Sequence, residues 1–341
     1  MHRMAARVAV FALGGTIAMT RAAGGGATPT LSGEKLLAAV PGLAETGIGV
    51  EVVNFRQLPG AALGFDDVIA LCRAIADQAG AAAADGFVVT QGTDTIEETA
   101  YLLHLWHGDD RPVVVTGAMR NPSLAGADGA ANLLAAIVTA ASPAAAGRGA
   151  LVVFADEIHA GSMVRKTHAT SVATFRSPNG GPLGHVIEGQ ARFLAQMPNR
   201  LRIPLPTKEI PSIGVYSVAF GDDGGLLDAF AQSVDGLVVA AMGAGHVPET
   251  MVGRLAELAS AMPVVLASRT GAGSILRETY GFPGSERYLI ARGLLPAGFL
   301  DPFKARLLLA AALAAGADRD QIAAAVAVAA GYAGPQAWPF S

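Results

Sequence analysis

Charge is scarce in this sequence. Asp, Glu, Lys and Arg make up only 15% of its 341 residues, and the formal net charge is −4. No basic stripe or acidic tail stands out, which speaks against nucleic acid or an anionic membrane surface as a partner. Lysine is rarest, with Lys35, Lys166, Lys208 and Lys304 its whole complement. Cysteine is nearly absent: Cys72 alone cannot form an internal disulfide. It falls in the run Val68, Leu71, Cys72, Ile75, Ala79, at helical spacing, and reads as a small core residue. No window approaches ~18 uninterrupted apolar residues, so no membrane span is expected. The opening MHRMAARVAVFALGG has the outline of a secretory signal, but its apolar run is short and leads directly into Gly14-Gly15-Thr16. A first core strand fits better, and a soluble cytoplasmic protein is expected.

Several reaction signatures are missing too. There is no G-x-S-x-G elbow and no H-E-x-x-H pattern. Gly243-Ala244-Gly245 lacks the complete dinucleotide fingerprint, and His104 and His107 share a helix without a third ligand. Neither a cofactor nor a metal is expected.

What is present is apolar periodicity. Hydrophobic residues make up 52% of the chain, enough for a large core. Valine-rich runs at Val8–Leu13, Val50–Val53, Phe87–Thr90, Val113–Thr116 and Leu151–Phe154 read as parallel strands covered on both faces. Between them lie amphipathic segments: Asp66–Ala79 with Asp66 as N-cap, a helix after Asp94 with Ile96, Ala100, Leu103 and Trp106 on one face, and Asp128–Ala140. Such alternation predicts an α/β fold, a doubly wound, mostly parallel sheet. Four prolines between 195 and 212 interrupt the pattern. The chain is therefore expected to comprise a larger N-terminal domain at 1–194, a linker at 195–212 and a smaller C-terminal α/β domain at 213–341. The second domain carries strands at Ile213–Val218, Leu237–Ala241 and Val264–Ala267, and helices at Glu249–Ser260, Pro302–Leu313 and Asp320–Ala330.

Ligands in open parallel sheets bind at the carboxyl ends of strands. Two predicted strand ends carry threonine after glycine: Gly14-Gly15-Thr16 and Gly92-Thr93-Asp94. Gly15 and Gly92 let backbone come close to a ligand, and a threonine hydroxyl there can attack a carbonyl if a base takes its proton. Lysine can be that base where its surroundings favour the amine, and Lys166 is the only lysine between 36 and 207. Asp94, beside Thr93, can orient such a lysine or hold a substrate ammonium. Taken singly, each threonine also fits a cap or a turn, and Lys166 also fits a solvated surface residue.

The segments FALGGTIAMT (11–20), GFVVTQGTDTIEETAYLL (86–103), PVVVTGAMR (112–120), RKTHATSVATFRSPNGGPLG (165–184) and LDPFKARLLLAAAL (300–313) keep a distinctive order and spacing. Over nearly its full length the chain resembles the bacterial-type L-asparaginases of the asparaginase/glutaminase family. The resemblance implies an amide-hydrolysing enzyme in which Thr16 forms an acyl-enzyme ester and Thr93, Asp94 and Lys166 activate nucleophile or water. It implies that Asp94 also binds the substrate's α-ammonium and that the Ala118 carbonyl lines the amide end. It further implies a small-molecule amide substrate and a homotetramer, a dimer of dimers, with sites at the intimate dimer interface. Three departures stand out. The family's lid tyrosine has no counterpart in the segment 20–33, because no tyrosine precedes Tyr101; Thr28, Thr30 or Tyr280 are the available substitutes. Gly60-Ala61 stands where the family often has Ser-Gln for the substrate's α-groups. His246 replaces an asparagine contributed by the neighbouring subunit, and Glu278 stands where an acidic partner for the substrate's amino end belongs. Three readings therefore remain open: an asparagine hydrolase; the same chemistry on glutamine, a D-isomer or an amide lacking an α-substituent; and a non-catalytic binder of small amides.

Overall fold

The valine-rich runs become strands in the computed structural model of the chain, which describes residues 6–21, 27–29, 32–81, 83–196 and 200–340. The chain divides into two units, Met1–Arg200 and Leu201–Ser341.

The first unit contains, in order, β1 (Arg7–Gly14), β2 (Met19–Arg21), β3 (Ala27–Pro29), α1 (Gly33–Ala38), β4 (Gly49–Leu58), α2 (Phe65–Gly80), β5 (Gly86–Thr90), α3 (Ile96–Trp106), β6 (Val113–Thr116), α4 (Gly129–Ala140), β7 (Ala150–Phe154), β8 (Glu157–Ala160), β9 (Arg165–Lys166), β10 (Phe175–Arg176), β11 (Gly184–Ile187) and β12 (Gln190–Phe193). Eight of these strands form one sheet in the order β12-β11-β8-β7-β6-β5-β1-β4. The stretch from β4 to β7 is parallel, and β8, β11 and β12 extend it antiparallel. Every residue of β5, β6 and β7 is buried, as a strand roofed on both faces requires.

The order places a topological switch at β1. The chain passes from β1 outward to β4, returns across β1 to β5, and then continues away through β6 and β7. Crevices at the carboxyl ends of strands open where the winding reverses in this way. The ends of β4, β1, β5 and β6 lie side by side there: Gly14 pairs with Leu58, Ala12 with Thr90, and Thr90 with Thr116.

Several sequence expectations need correction. The run Val50–Val53 belongs to β4, whose residues are all half-buried or exposed, because it is the outermost strand and has a neighbour on one side only. Asp66 is not an N-cap: α2 begins at Phe65 behind Gly64, and the Gly64 N–H donates to Asp67 Oδ2 at 3.1 Å. Asp66 and Asp67 then fall in the first turn, where carboxylates complement the helix dipole. The antiparallel extension went unread. Its first turn, Ala155-Asp156, holds left-handed φ values of 49° and 62° without the Asn-Gly or Asp-Gly pair that advertises such a hairpin. The triple glycine 24–26 and Thr30 lie outside the described residues, and only the backbone of Thr28 is described.

The second unit contains β13 (Ile213–Ser217), α5 (Leu227–Ala231), β14 (Gly236–Ala241), α6 (Val252–Ala261), β15 (Val264–Ser268), α7 (Glu286–Ile290), β16 (Leu295–Pro296), α8 (Pro302–Ala314) and α9 (Arg319–Ala329). Its four strands form a parallel sheet in sequence order. Asp301 caps α8, its carboxylate accepting the N–H groups of Phe303 and Lys304, with Pro302 as the first helical residue. Asp318 and Gln321 form a capping box that starts α9. Among the described residues no helix is long and apolar enough to cross a membrane.

Two residues tie the end of β6 to the helix after it. The Asp128 carboxylate accepts the N–H groups of Met119 and Arg120 at 3.0 and 2.9 Å. Buried Asn132 donates to the Gly117 carbonyl and to Asp128, both at 3.1 Å, and accepts the Ala155 N–H at 3.0 Å. Truncating Asn132 would leave the buried Gly117 carbonyl and the Ala155 N–H without this partner. Asn132→Ala should lower stability by about 2–3 kcal/mol, read as a lower melting temperature with unchanged far-UV circular dichroism.

Candidate active site

Glycine decides how closely the strand-end loops approach. A Cβ added at Gly15 would stand 2.2 Å from the Gly92 amide nitrogen, and one at Gly60 would stand 2.9 Å from the Gly92 carbonyl oxygen. From the other side, a Cβ on Gly92 would lie 2.6 Å from the Gly60 nitrogen. The loops after β1, β4 and β5 thus touch backbone to backbone. Gly15 also holds a φ of 83°, a left-handed conformation that side-chain-bearing residues rarely adopt. The loop after β6 joins the same cluster: a Cβ on Gly117 would meet the Gln91 carbonyl at 2.6 Å and the Thr93 methyl at 3.4 Å.

This packing sets out the functional side chains. Thr16, half-buried, opens the 3₁₀ turn Thr16–Ala18 directly after Gly15. Thr93 is buried and opens the 3₁₀ turn Thr93–Thr95 that leads into α3. Asp94 follows, with its side chain 66% exposed. Ala118 is buried in the same core cluster as Ile17, the neighbour of Thr16.

Lys166 arrives from a distant part of the chain, on the short β9–β10 hairpin. Its Nζ donates to Thr93 Oγ1 at 2.9 Å and to Asp94 Oδ1 at 2.8 Å, with only 15% of the side chain exposed. Its backbone N–H donates to Glu97 Oε2 at 3.0 Å. Glu97 stands one helical turn beyond Thr93, so the element that presents the hydroxyl also grips the strand that delivers the amine. Sequence reasoning did not single out Glu97; its i+4 spacing from Thr93 was the available signal.

A further tether joins the β4 and β5 loops. Thr95 Oγ1 donates to the Gly60 carbonyl at 2.9 Å and accepts from Gln91 Nε2 at 3.2 Å. Gln91 is fully buried, and its backbone N–H donates to the Thr116 carbonyl at 3.1 Å. These residues read as ordinary polar turn positions in the sequence. Gly60 itself is buried while Ala61 is exposed.

His246 and Glu278 lie in the second unit. His246 Nε2 meets the fully buried Glu286 carboxylate at 3.1 Å, and its ring takes the edge-on contacts of Tyr280 and Phe282 at 4.8 and 5.1 Å between centroids. Glu286 Oε1 also accepts the Tyr280 N–H at 2.8 Å. The acidic group beside His246 is therefore Glu286, and Glu278 is exposed. The Ser-Glu pair 285–286 at the start of α7, with Ser285 as N-cap, was the sequence signal for it.

Other reactive-looking groups stand apart from this chemistry. Cys72 is buried in α2, and desolvation pushes its thiol up to about 12. His104 is buried in α3; burial, aided by the positive charge of Arg200, pushes its imidazole down to about 4 and keeps it neutral. Among the described residues no cluster of His, Cys, Asp and Glu has metal-holding geometry.

A hydroxyl bonded to an amine, a carboxylate on that amine, and backbone amides brought close by glycine together suit attack on a carbonyl carbon. Comparison with known proteins points the same way. A family model described as asparaginase, N-terminal, matches residues 7–199, and one described as glutaminase/asparaginase C-terminal domain matches residues 212–326. A probable L-asparaginase of Deinococcus radiodurans is 38% identical over 321 residues, covering 93% of this chain and 95% of that one. L-asparaginase 2 of Escherichia coli is 36% identical over 341 residues, covering 92% and 91%. The crystal structure of a probable cytoplasmic L-asparaginase from Campylobacter jejuni superposes with a TM-score of 0.82 at 29% identity, covering 94% of this chain and 99% of that one.

The glycine junction makes a direct test of the packing. Gly15→Ala should lower the melting temperature by several degrees, because an overpacked backbone contact costs roughly 1–3 kcal/mol. Gly80→Ala, where an added Cβ meets nothing within 4 Å, should be neutral or raise stability by up to ~1 kcal/mol. Thermal melts of the two variants under identical conditions would check the contrast.

Proposed function

The chain belongs to the asparaginase family, and on that premise we propose that it hydrolyses the side-chain amide of asparagine to aspartate and ammonia through a threonine acyl-enzyme. The observation that carries this reading is the Lys166 amine 2.9 Å from the Thr93 hydroxyl. Thr16 Oγ attacks the amide carbon, and the loops around Gly15 and Gly92 offer backbone N–H groups to the developing oxyanion. The C–N bond breaks, the nitrogen leaves as ammonia carrying the proton that Thr16 gives up, and a Thr16 ester remains. Thr93 and Lys166 then take a proton from water, whose oxygen attacks the ester carbon; the bond to Thr16 Oγ breaks, that proton returns to Thr16, and aspartate is released.

Asp94 has two roles in this scheme. One oxygen holds Lys166 in place, and its 66% exposure leaves the carboxylate open to a substrate ammonium. The Ala118 carbonyl accepts from the substrate's amide NH₂. His246 and Glu278, with Gly60 and Ala61, contact the substrate's α-groups, the first pair from a neighbouring subunit of a homotetramer. The cytoplasm is the proposed compartment, in keeping with the description of the Campylobacter jejuni neighbour.

A second reading has one specific observation in its favour. Gly60 meets the Gly92 backbone so closely that a serine cannot stand there without a backbone shift. A substrate without the usual α-carboxylate contact, such as an amide lacking one α-substituent, suits such a pocket.

An ammonia-release assay across asparagine, glutamine, D-asparagine and simple amides separates the two. Asparagine should lead in kcat/KM, and a lead by an amide lacking an α-substituent would replace the first reading with the second. Thr16→Ala, Thr93→Ala and Lys166→Met should each lower kcat by on the order of 10³-fold or more. Full turnover by Lys166→Met would refute the mechanism whatever the substrate.

A further inference from the structure

We propose that Thr95 is a positioning residue that bolts the Gly60–Ala61 loop onto the catalytic turn and thereby sets the grip on substrate, separately from the bond-breaking step. The inference rests on the reading just given, in which that loop contacts the substrate's α-groups.

The argument starts from the edge position of β4. Its loop has the outermost strand behind it, and that strand has no fully buried residue. The loop's own backbone bonds are local: the Ala62 N–H donates to the Pro59 carbonyl at 2.9 Å and the Leu63 N–H to the Gly60 carbonyl at 3.2 Å. Such a turn closes on itself and does not dictate where it sits over the neighbouring loop.

Thr95 supplies that instruction. Its hydroxyl donates to the Gly60 carbonyl at 2.9 Å and accepts from the fully buried Gln91 amide at 3.2 Å. Gln91 is itself held to β6 through the Thr116 carbonyl at 3.1 Å. The chain of bonds thus runs from the floor of the sheet to the loop at its edge. Thr95 is two residues from Thr93, yet its side chain is directed to Gly60, while Lys166 bonds Thr93 and Asp94. Within a single 3₁₀ turn, Thr95 thus holds the Gly60–Ala61 loop while Thr93 and Asp94 hold Lys166. The absence of a side chain at Gly60 and Gly92 is what allows the carbonyl to come within reach of the hydroxyl.

The test compares Thr95→Val, which keeps the shape and removes the hydroxyl, with Thr95→Ser, which keeps the hydroxyl. Two readouts are taken: steady-state ammonia release from asparagine, and amide hydrogen exchange of peptides covering 58–64. Thr95→Val should raise KM about tenfold, equivalent to about 1.4 kcal/mol, with kcat within about threefold of wild type. Exchange at the Ala62 and Leu63 amides should speed up by about tenfold in Thr95→Val, while peptides from α2 stay unchanged. Thr95→Ser should restore both. Unchanged exchange at 58–64 in Thr95→Val would overturn the proposal, as would a fall in kcat at constant KM. If the wild type releases no ammonia from any amide, the functional reading fails, and the exchange comparison alone still decides whether Thr95 is the tether. Should Thr95→Val not fold, the same exchange and KM changes are required of Thr95→Ala.

Discussion

The contact on which the site depends is the one between Lys166 and Thr93. A threonine hydroxyl in water is a weak nucleophile and a weak proton carrier, and an amine held against it changes both. That amine is drawn 2.9 Å from the hydroxyl by three separate attachments: Thr93 itself, Asp94 at 2.8 Å, and Glu97 acting on the Lys166 backbone. The residues that receive Lys166 sit on one continuous turn and helix start, 93–97. A change in the pitch of that turn would misplace all three partners at once. The Lys166–Asp94 ion pair itself contributes little to folding, since the Asp94 carboxylate is two-thirds exposed.

The sheet order explains why this turn can be reached from several parts of the chain. β1 and β5 are neighbours in space with β4 and its crossovers between them in sequence. Their ends point the same way, and the reversal of winding leaves the space above them without a covering crossover. The loops after β4 and β6 then fill the flanks. Thr16, Gly60, Thr93 and Ala118 follow the ends of adjacent strands, which is what brings them to one edge of the sheet.

Much of this was legible in the sequence. The runs of valine marked β5, β6 and β7, since a strand covered on both faces has no reason to alternate, and the threonines after glycine marked the ends of β1 and β5. The edge strand β4 was read as doubly covered, although Glu51 interrupts its valines at 50, 52 and 53 and that charge was the available sign of a strand facing solvent. The hairpins beyond β7 were not seen, since Ala155-Asp156 turns through left-handed conformations with residues that do not announce it. At the site, hydroxyl, carboxylate and amine could be named from residue type and family resemblance. Glu97, Thr95, Gln91 and Glu286 were not: the i+4 spacing of Glu97 and the Ser285-Glu286 helix start are faint local signs, and neither tells that Glu97 reaches a backbone amide 69 residues away.

The meeting of Gly15, Gly60 and Gly92 has a consequence for how this protein can change. At most sites the chemically loud residues are the irreplaceable ones and the silent ones drift. Here three positions without side chains are wedged together, so the junction they form is main chain and cannot be repainted one substitution at a time. On the function proposed above, diversity in accepted substrates would come from positions around that wedge, such as the exposed Ala61. A mutational library aimed at a new substrate range would be best spent there, leaving the three glycines as they are.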